Sequence, residues 1–189
     1  MEKIRILHIG SKLHSSGGIE KYVMNLYNNI NRQKVQFDFV ILDEGEKQYY
    51  ETIIEKLGGT VHSIPKKNQS LFSSILYKYK IFRKYRNYGI IHIHTSCGIR
   101  AIDGLIAKLS GINKVIFHSH SNMGKIPLKY KLTKFFFRMI GSYFLACSPE
   151  AGKYFFGKSI VNKNNFAIAK NAIDFDQFKF CESKRSRIR

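Results

Sequence analysis

Tryptophan is absent from this sequence of 189 residues, and cysteine and proline occur only three times each. Cys97, Cys147 and Cys181 are far apart, odd in number and never form a C-x-x-C pair, which argues against a disulfide framework or a zinc knuckle. The three prolines and 14 glycines form no repeat, which excludes collagen-like, low-complexity and solenoid chains. A hydrophobic content of 44% therefore predicts one globular domain.

Long hydrophobic runs are also missing. The N-terminal apolar run is too short for a signal peptide, and the longest apolar stretch, residues 139–147, is about half the length of a membrane span. The absence of a G-x-S-x-G elbow, a P-loop and a paired-acid motif leaves hydrolases and P-loop enzymes without support. We expect a cytoplasmic protein that is soluble or bound to the surface of a membrane.

Acidic residues are scarce and unevenly distributed. The 13 Asp and Glu residues stand against 32 Lys and Arg, which gives a formal net charge of +19. Between Lys56 and Pro149 the only carboxylate is that of Asp103, whereas the same stretch contains 16 Lys and Arg. Such a charge distribution predicts an anionic partner. Nucleic acid, an acidic membrane leaflet and a phosphorylated substrate all fit, and charge alone does not choose among them.

Short β-branched runs alternate with longer segments of helical period, a pattern typical of an α/β fold built on a parallel sheet. About seven strands are predicted, at residues 4–9, 35–42, 60–64, 90–94, 114–119, 143–147 and 166–169. Helices are predicted after Gly18 and at residues 49–57, 71–88, 99–109 and 128–140, and Ser148 and Pro149 predict the capped start of another. The polar and basic residues 181–189 are expected to begin a linker.

Gly17 and Gly18 lie between the first strand and the first helix. Free backbone N–H groups and the helix dipole at such a position favour an anion such as phosphate. The spacing G-x-G-x-x-G is absent, which disfavours a dinucleotide site. The alternative is that the two glycines only shape a turn.

Two pairs of histidines alternate at the ends of neighbouring strands. His92 and His94 lie on the fourth strand and His118 and His120 at the end of the fifth, so each pair shares one face of the sheet. Open α/β sheets bind ligands at these strand ends, which predicts a polar pocket with His120 nearest its mouth. No metal is expected, because no carboxylate or thiolate stands at ligand spacing. The alternative is that the histidines are structural.

The helix at 128–140 combines basic and aromatic side chains. On a helical projection one arc is apolar and is predicted to face the core: Leu128, Leu132, Phe135, Phe136, Met139 and Tyr143. The opposite arc holds Lys131, Lys134 and Arg138, flanked by Tyr130 and Phe137, an arrangement that predicts contact with an anionic membrane surface. The helix at 71–88 is similarly basic and aromatic, which also fits nucleic-acid binding. A solvated basic face is the simpler alternative.

Six sequence blocks occur in an order that resembles the N-terminal domain of family 4 glycosyltransferases of the GT-B type. They are IRILHIG at 4–10, GGIE at 17–20, IIHIH at 90–94, VIFHSHSN at 115–122, ACSPE at 146–150, and KNAID at 170–174 followed by Phe178. The His-Ser-His-Ser variant is most similar to bacterial enzymes that assemble capsule or exopolysaccharide. The resemblance implies a Rossmann-like sheet with helices on both faces, which forms one half of a two-domain enzyme.

The resemblance also implies roles for individual residues. Gly17 and Gly18 would lie beside the diphosphate of a nucleotide-sugar donor. The catalytic candidates His118 and His120 would contact the transferred sugar or the acceptor, and we favour His120. His94, Ser96 and Asn122 would line the acceptor pocket. No cofactor or metal is implied beyond the nucleotide-sugar co-substrate, and the family's common Asn-Gly reads Asn171-Ala172 here.

In the resembled family a second domain binds most of the donor. We therefore expect residues 1–180 to be the acceptor-side domain and 181–189 to begin the connection to a C-terminal donor domain that these 189 residues lack. The expected function is retaining sugar transfer to a lipid-linked or polysaccharide acceptor at the inner face of the cell membrane, without activity in the isolated chain. The alternative is a basic nucleic-acid-binding module, although no RNA-binding or zinc-finger pattern occurs.

Overall fold

The structure is a computed structural model that describes residues 3–10, 12–65, 70–87, 89–95, 100–121, 128–171 and 179–188. Seven strands form one sheet: β1 (Ile4–Ile9), β2 (Val35–Leu42), β3 (Val61–Ile64), β4 (Ile90–Thr95), β5 (Lys114–Ser119), β6 (Tyr143–Ala146) and β7 (Phe166–Ile168). All pairings are parallel and the strand order is β3-β2-β1-β4-β5-β6-β7. The predicted parallel sheet of about seven strands is confirmed.

The helices connect successive strands. They are α1 (Gly18–Asn29), α2 (Glu51–Lys56), α3 (Leu71–Lys84), α4 (Arg100–Leu109), α5 (Leu128–Ile140), α6 (Pro149–Phe155), α7 (Lys158–Val161) and α8 (Glu182–Ile188). The Ser148 hydroxyl accepts a hydrogen bond from the Ala151 backbone N–H and Pro149 occupies the first turn, as the sequence predicts for α6. Helix α7 was not predicted. The segment expected to begin a linker contains α8, and its role stays a prediction.

Two hydrophobic cores show that helices cover both faces of the sheet. Residues of α1 and α2 pack on one face with the β2 side chains Phe37 and Phe39. Residues of α3, α4, α5 and α6 pack on the other face with β4 and β5 side chains such as Ile93 and Phe117. The chain changes faces between α2 and α3, and the order of strands reverses between β1 and β4. In sheets of this kind the carboxyl ends of those two strands border the ligand-binding crevice.

The predicted orientation of α5 is wrong. Phe137, expected at the membrane-facing edge, is 1% exposed and packs edge-to-face against Phe117 in the core. Phe135 and Met139, expected in the core, are 57% and 68% exposed, and Phe136 is exposed as well. The projection assumed that the wider apolar arc faces the sheet. The sheet instead binds the narrower stripe of Phe137 and Ile140, and Phe135, Phe136 and Met139 of the wider arc face outward.

Candidate functional site

Five histidines lie on one face of the sheet at the carboxyl ends of three strands. His8 is opposite His92 in the pairing of β1 with β4, and His94 is opposite His118 in the pairing of β4 with β5. Because side chains alternate along a strand, His94 shares the face of His92. The His120 ring stacks 4.0 Å from the His118 ring. Sequence reasoning found four of these residues and missed His8, whose partner is on a strand distant in the chain.

Hydrogen bonds connect these rings, which we call the histidine cluster. The His8 Nδ1 atom is 2.9 Å from His94 Nε2, and His94 Nδ1 is 2.8 Å from His120 Nε2. A separate contact of 3.2 Å joins His92 Nε2 to His118 Nδ1. Within the described part of the chain, the buried Nε2 atoms of His8 and His118 have no hydrogen-bond partner. The cluster is thus a packed polar network with unused nitrogens.

Burial makes these histidines neutral. Removal from water lowers the pKa of His92 to about 3, of His118 to about 2 and of His120 to about 4. Burial also holds the pKa of His8 and His94 well below the ordinary histidine value, and the neighbouring rings lower it further. The Asn171 side chain partly offsets the shift at His120, raising its pKa. At neutral pH each ring therefore offers one N–H donor and one lone pair.

His120 is the member of the cluster nearest to solvent. His118 and His94 are 0% exposed, whereas His120 is only half-buried. Tyr22 on α1 presses its ring edge against both, with ring centroids 5.2 Å from His118 and 5.4 Å from His120. The structure therefore separates the two catalytic candidates: His120 is partly accessible to solvent, and His118 is fully buried. Tyr22 was missed because a helical position gives no sequence signal of strand contact.

The glycine loop begins α1, the helix whose Tyr22 contacts the cluster. Gly17 is the N-cap of α1, and among the described residues no side chain caps this end. The Glu20 carboxylate folds over Gly17 and accepts a hydrogen bond of 3.1 Å from the Lys12 backbone N–H. A side chain at Gly18 would meet nothing within 4 Å. The helix N-terminus is open at Gly18, while a carboxylate occupies the space above Gly17.

A cleft of about 460 Å³ opens at the carboxyl ends of β1 and β2, on the side of α3 and α4. Its charged lining residues are Lys12, Glu20, Lys78 and Arg100. Gly10 also lines the cleft, and a side chain there would collide with the backbone carbonyl of His94. The cleft and the histidine cluster therefore flank the same strand ends.

Asp103 forms ion pairs with two of the cations in this cleft, and its single negative charge offsets one of their two positive charges. Its carboxylate is 2.5 Å from Lys78 Nζ and 3.0 Å from Arg100 Nη1, and its side chain is 3% exposed. This one acid of the basic stretch thus has a structural role. Lys78 is unavailable for the basic face predicted on α3.

Several predicted residues lie outside the described part of the structure. Ser96 and Asn122 belong to undescribed segments, and the side chains of Tyr130 and Lys131 are likewise not described. Of the other membrane-surface candidates, Arg138 is exposed and Lys134 is half-buried. Phe82 on α3 and Tyr85, the residue that caps its C-terminus, are buried in the core. Those two rings are therefore not a stacking platform for nucleic-acid bases.

The sequence profile of glycosyltransferase family 4 matches residues 16–177. EpsF of Bacillus subtilis (strain 168), which is named as a glycosyltransferase, is 30% identical over 181 residues, covering 92% of this chain and 46% of EpsF. The chain therefore spans about half the length of this relative.

Solved structures confirm the fold at low sequence identity. Anabaena HepE, crystallised with UDP and glucose, superposes with a TM-score of 0.66 at 14% identity, over 98% of this chain and 49% of HepE. A UDP-N-acetylglucosamine 2-epimerase from Methanocaldococcus jannaschii gives a TM-score of 0.55 at 10% identity, over 88% of this chain and 45% of the epimerase. The fold is thus that of one half of such two-domain proteins.

None of the helices in the described ranges combines the length and apolar character needed to cross a bilayer.

Proposed function

Because the chain belongs to glycosyltransferase family 4, we propose that it forms the acceptor-binding half of an enzyme that transfers a sugar from a nucleotide-sugar donor to a polysaccharide or lipid-linked acceptor. The observation that carries this proposal is the neutral histidine cluster at the strand ends where the order of the sheet reverses, beside the open N-terminus of α1. The name of EpsF and the UDP-glucose complex of HepE support it.

His120 is the residue that we propose to contact the sugar. Its neutral ring, with a pKa lowered to about 4 by burial, can donate or accept a hydrogen bond without placing a charge beside the sugar. The 2.8 Å contact with His94 orients the ring. His118 is fully buried and bonded to His92, which suits a positioning role. In this proposal His94 lines the deeper wall of the acceptor pocket.

Gly17 and Gly18 are proposed to bind the donor diphosphate through backbone N–H groups at the start of α1. The open space above Gly18 supports this assignment. The Glu20 carboxylate now lies over Gly17, so a diphosphate entering there must displace it. Such a displacement exchanges one anion for another at the positive end of the helix dipole.

The outer surface of α4 and α5 is proposed to rest on the cytoplasmic face of an acidic membrane. Large apolar side chains are exposed there next to basic ones, and we call this set the apolar face: Leu105, Leu109, Phe135, Phe136 and Met139. Arg138 is exposed on α5. Apolar side chains that enter the lipid boundary and cations that meet its phosphates together hold a protein reversibly.

The division of labour in such enzymes predicts weak donor binding by the 189 residues alone. Without a facing domain the base and ribose of the donor stay in water. The dissociation constant should therefore be millimolar or weaker, which corresponds to a binding free energy of about −4 kcal/mol. Calorimetric titration with a panel of nucleotide sugars tests this on the chain alone. The same titration on a fusion to the part of EpsF that this chain does not match should then give micromolar binding of one sugar nucleotide.

Transfer by that fusion tests the site. His120→Ala should reduce turnover at least tenfold while donor affinity and the thermal midpoint stay near those of the parent. His14→Ala, which removes a histidine outside the cluster, is the matched control and should leave turnover unchanged. Micromolar donor binding by the 189 residues alone would contradict the division of labour. A fusion that binds DNA more tightly than any sugar nucleotide would favour the nucleic-acid alternative.

A further inference from the structure

Three members of the histidine cluster converge on one point. His94, His118 and His120 each bring a ring nitrogen within 4.8 Å of the others. We propose that these three histidines form a binding site for a transition-metal ion of the zinc class. The sequence argued against a metal because it lacks carboxylates and thiolates at ligand spacing, but the strand register supplies the ligands from two strands instead.

The spacing of the nitrogens suits such an ion. Zinc–nitrogen bonds of about 2.0–2.1 Å in a tetrahedral site separate the ligand nitrogens by about 3.3 Å. The His94 and His120 nitrogens are 2.8 Å apart, so they need to open by only about half an ångström to admit the ion. Three imidazoles that are neutral at neutral pH also bind without first losing a proton.

The second possible triad, His8, His92 and His94, is the weaker candidate. His8 is 1% exposed and packs against the rings of Phe37 and Phe39, with centroids 4.2 and 5.3 Å away. All three members of this triad are buried, so an ion there would have less access to solvent and to a water ligand. In the proposed site, by contrast, His120 is half-buried at the opening, so an ion can enter and keep one position for water.

Two of the proposed ligands, His94 and His118, have hydrogen-bond partners that hold their rings in place. His94 contacts His8 through its Nε2 atom, and His118 contacts His92 through its Nδ1 atom. Histidines that bind metals are commonly held by a hydrogen bond from the other ring nitrogen, which fixes the ring and the tautomer. The buried, unpartnered Nε2 atom of His118 gives that residue a free ligand atom. His8 and His92 therefore act as supports for the proposed site.

The chemistry of the ligands selects the ion. Imidazole nitrogens suit Zn²⁺, Co²⁺, Ni²⁺ and Cu²⁺, whereas Mg²⁺ and Ca²⁺ require oxygen ligands. The described triad contains no carboxylate, so the ion keeps its full charge and favours an anion such as phosphate at its fourth position. If His120 contacts the sugar, as we propose above, the bound ion occupies that contact and inhibits transfer. This last consequence rests on the proposed function, but metal binding itself does not.

The experiment uses the 189-residue chain without a polyhistidine tag, freed of metal by a chelator. Titration with Zn²⁺ in competition with a chromophoric chelator should show one site of micromolar or higher affinity. Co²⁺ should produce the intense visible absorption of a tetrahedral nitrogen site, and Mg²⁺ should neither bind nor compete. Zn²⁺ should also raise the thermal midpoint, because it binds only the folded cluster.

Variants locate the site. His118→Gln and His120→Ala should each weaken Zn²⁺ binding about a hundredfold or more, and His92→Ala, a support, about tenfold. His14→Ala, which removes the His14 contact of 2.7 Å with Glu44, is the matched control and should leave affinity unchanged. Circular dichroism identifies any variant that fails to fold, and the other ligand variants then carry the test.

Three outcomes would overturn the proposal. One is the absence of a Zn²⁺ site in the parent chain. Another is equal binding by the parent and by folded variants of His118 and His120. The third is a site that His8→Ala and His92→Ala abolish while His118→Gln and His120→Ala retain it, which would assign the ion to the other triad. None of these results bears on whether a fusion protein transfers sugar, so the two proposals fail separately.

Discussion

Gly10 packs so closely against His94 that any side chain at position 10 would collide with the His94 backbone carbonyl. Gly10 also has a φ of +100°, a conformation that other residues rarely adopt. We expect Gly10→Ala to lower the free energy of unfolding by about 3 kcal/mol, because it combines backbone strain with a clash against main-chain atoms. Urea denaturation measures this change.

Two glycines are matched controls for that measurement. Gly45 has a positive φ of 89° but open space around it, so Gly45→Ala should lower the free energy of unfolding by only about 1 kcal/mol. Gly18→Ala has neither strain nor a neighbour within 4 Å and should be close to neutral. Equal destabilisation by all three substitutions would show that the contact with His94 is not tight.

The histidine cluster should make the metal-free protein sensitive to mild acid. Burial lowers the pKa of His92 to about 3 and of His120 to about 4, so the unfolded chain binds protons below about pH 6.5 that the folded chain does not. The free energy of unfolding should fall as the pH drops below about 6.5, by up to about 1.4 kcal/mol per pH unit for each histidine, and should stop falling near the folded pKa values. Urea denaturation at several pH values gives the slope.

Replacing His92 by Asn removes one titrating ring, so the free energy of unfolding should depend less steeply on pH. A stability that is flat between about pH 7 and 5 would mean that the cluster takes up protons while folded and is more open to water than the structure shows.

Asp103→Asn should be strongly destabilising. The substitution leaves the Lys78 ammonium, with a side chain only 17% exposed, without its carboxylate partner. Removing one partner of a buried ion pair costs about 3 kcal/mol, because the other charge stays buried and uncompensated. Glu55→Gln is the control, since its pair with Lys47 is about half exposed and should be worth less than about 1 kcal/mol. Similar losses for both variants would contradict the assigned role of Asp103.

The corrected orientation of α5 changes which residues should bind membranes. The double variant Phe135→Asp and Met139→Asp should fold normally and should lose about tenfold or more in binding to vesicles of anionic lipid, because it removes apolar area and adds negative charge. Leu26→Asp, on α1 across the sheet, is the matched control and should bind like the parent. Cosedimentation measures binding, which added salt should weaken. Unchanged recovery of the double variant would rule out this surface.

Buried Phe137 provides a second check on the same helix. Phe137→Ala should cost about 3–5 kcal/mol of stability, because it opens a cavity between α5 and the sheet. Phe136→Ala, at the adjacent but exposed position, should lower the free energy of unfolding by less than about 1 kcal/mol. A reversed order of these two losses would restore the orientation predicted from the helical projection.

Strands were predictable from sequence because each is a short β-branched run bounded by polar or glycine residues. The predicted bounds of β1, β2 and β5 match the structure. The orientation of α5 was not predictable from hydrophobicity alone, because both of its faces carry phenylalanine. Packing against Phe117 on the sheet selects Phe137.

The candidate site was predictable only where its residues are neighbours in sequence. The spacing of two residues within each pair predicts that His92 and His94 share one face of the sheet, and that His118 and His120 do the same. Including His8 requires the register of β1 against β4, which are separated by three helices and two strands in the chain. Tyr22 requires knowing how α1 lies over the strand ends. Such relationships arise from tertiary packing, which leaves no local pattern.

The hydrogen bonds from His8 to His94 and from His94 to His120 couple the tautomers of the three rings. Because each ring is neutral and carries one proton, a proton on His8 Nδ1 directs the His94 proton to Nδ1 and leaves Nε2 of His120 as the acceptor. His120 then carries its proton on Nδ1. The opposite polarity places the N–H on His8 Nε2 instead, and either atom, His8 Nε2 or His120 Nδ1, is buried without a hydrogen-bond partner among the described residues. The tautomer of His8, a residue deep in the sheet, is thus coupled to whether Nδ1 of His120 is a donor or an acceptor, and a metal ion bound to His94 Nδ1 would require the opposite polarity.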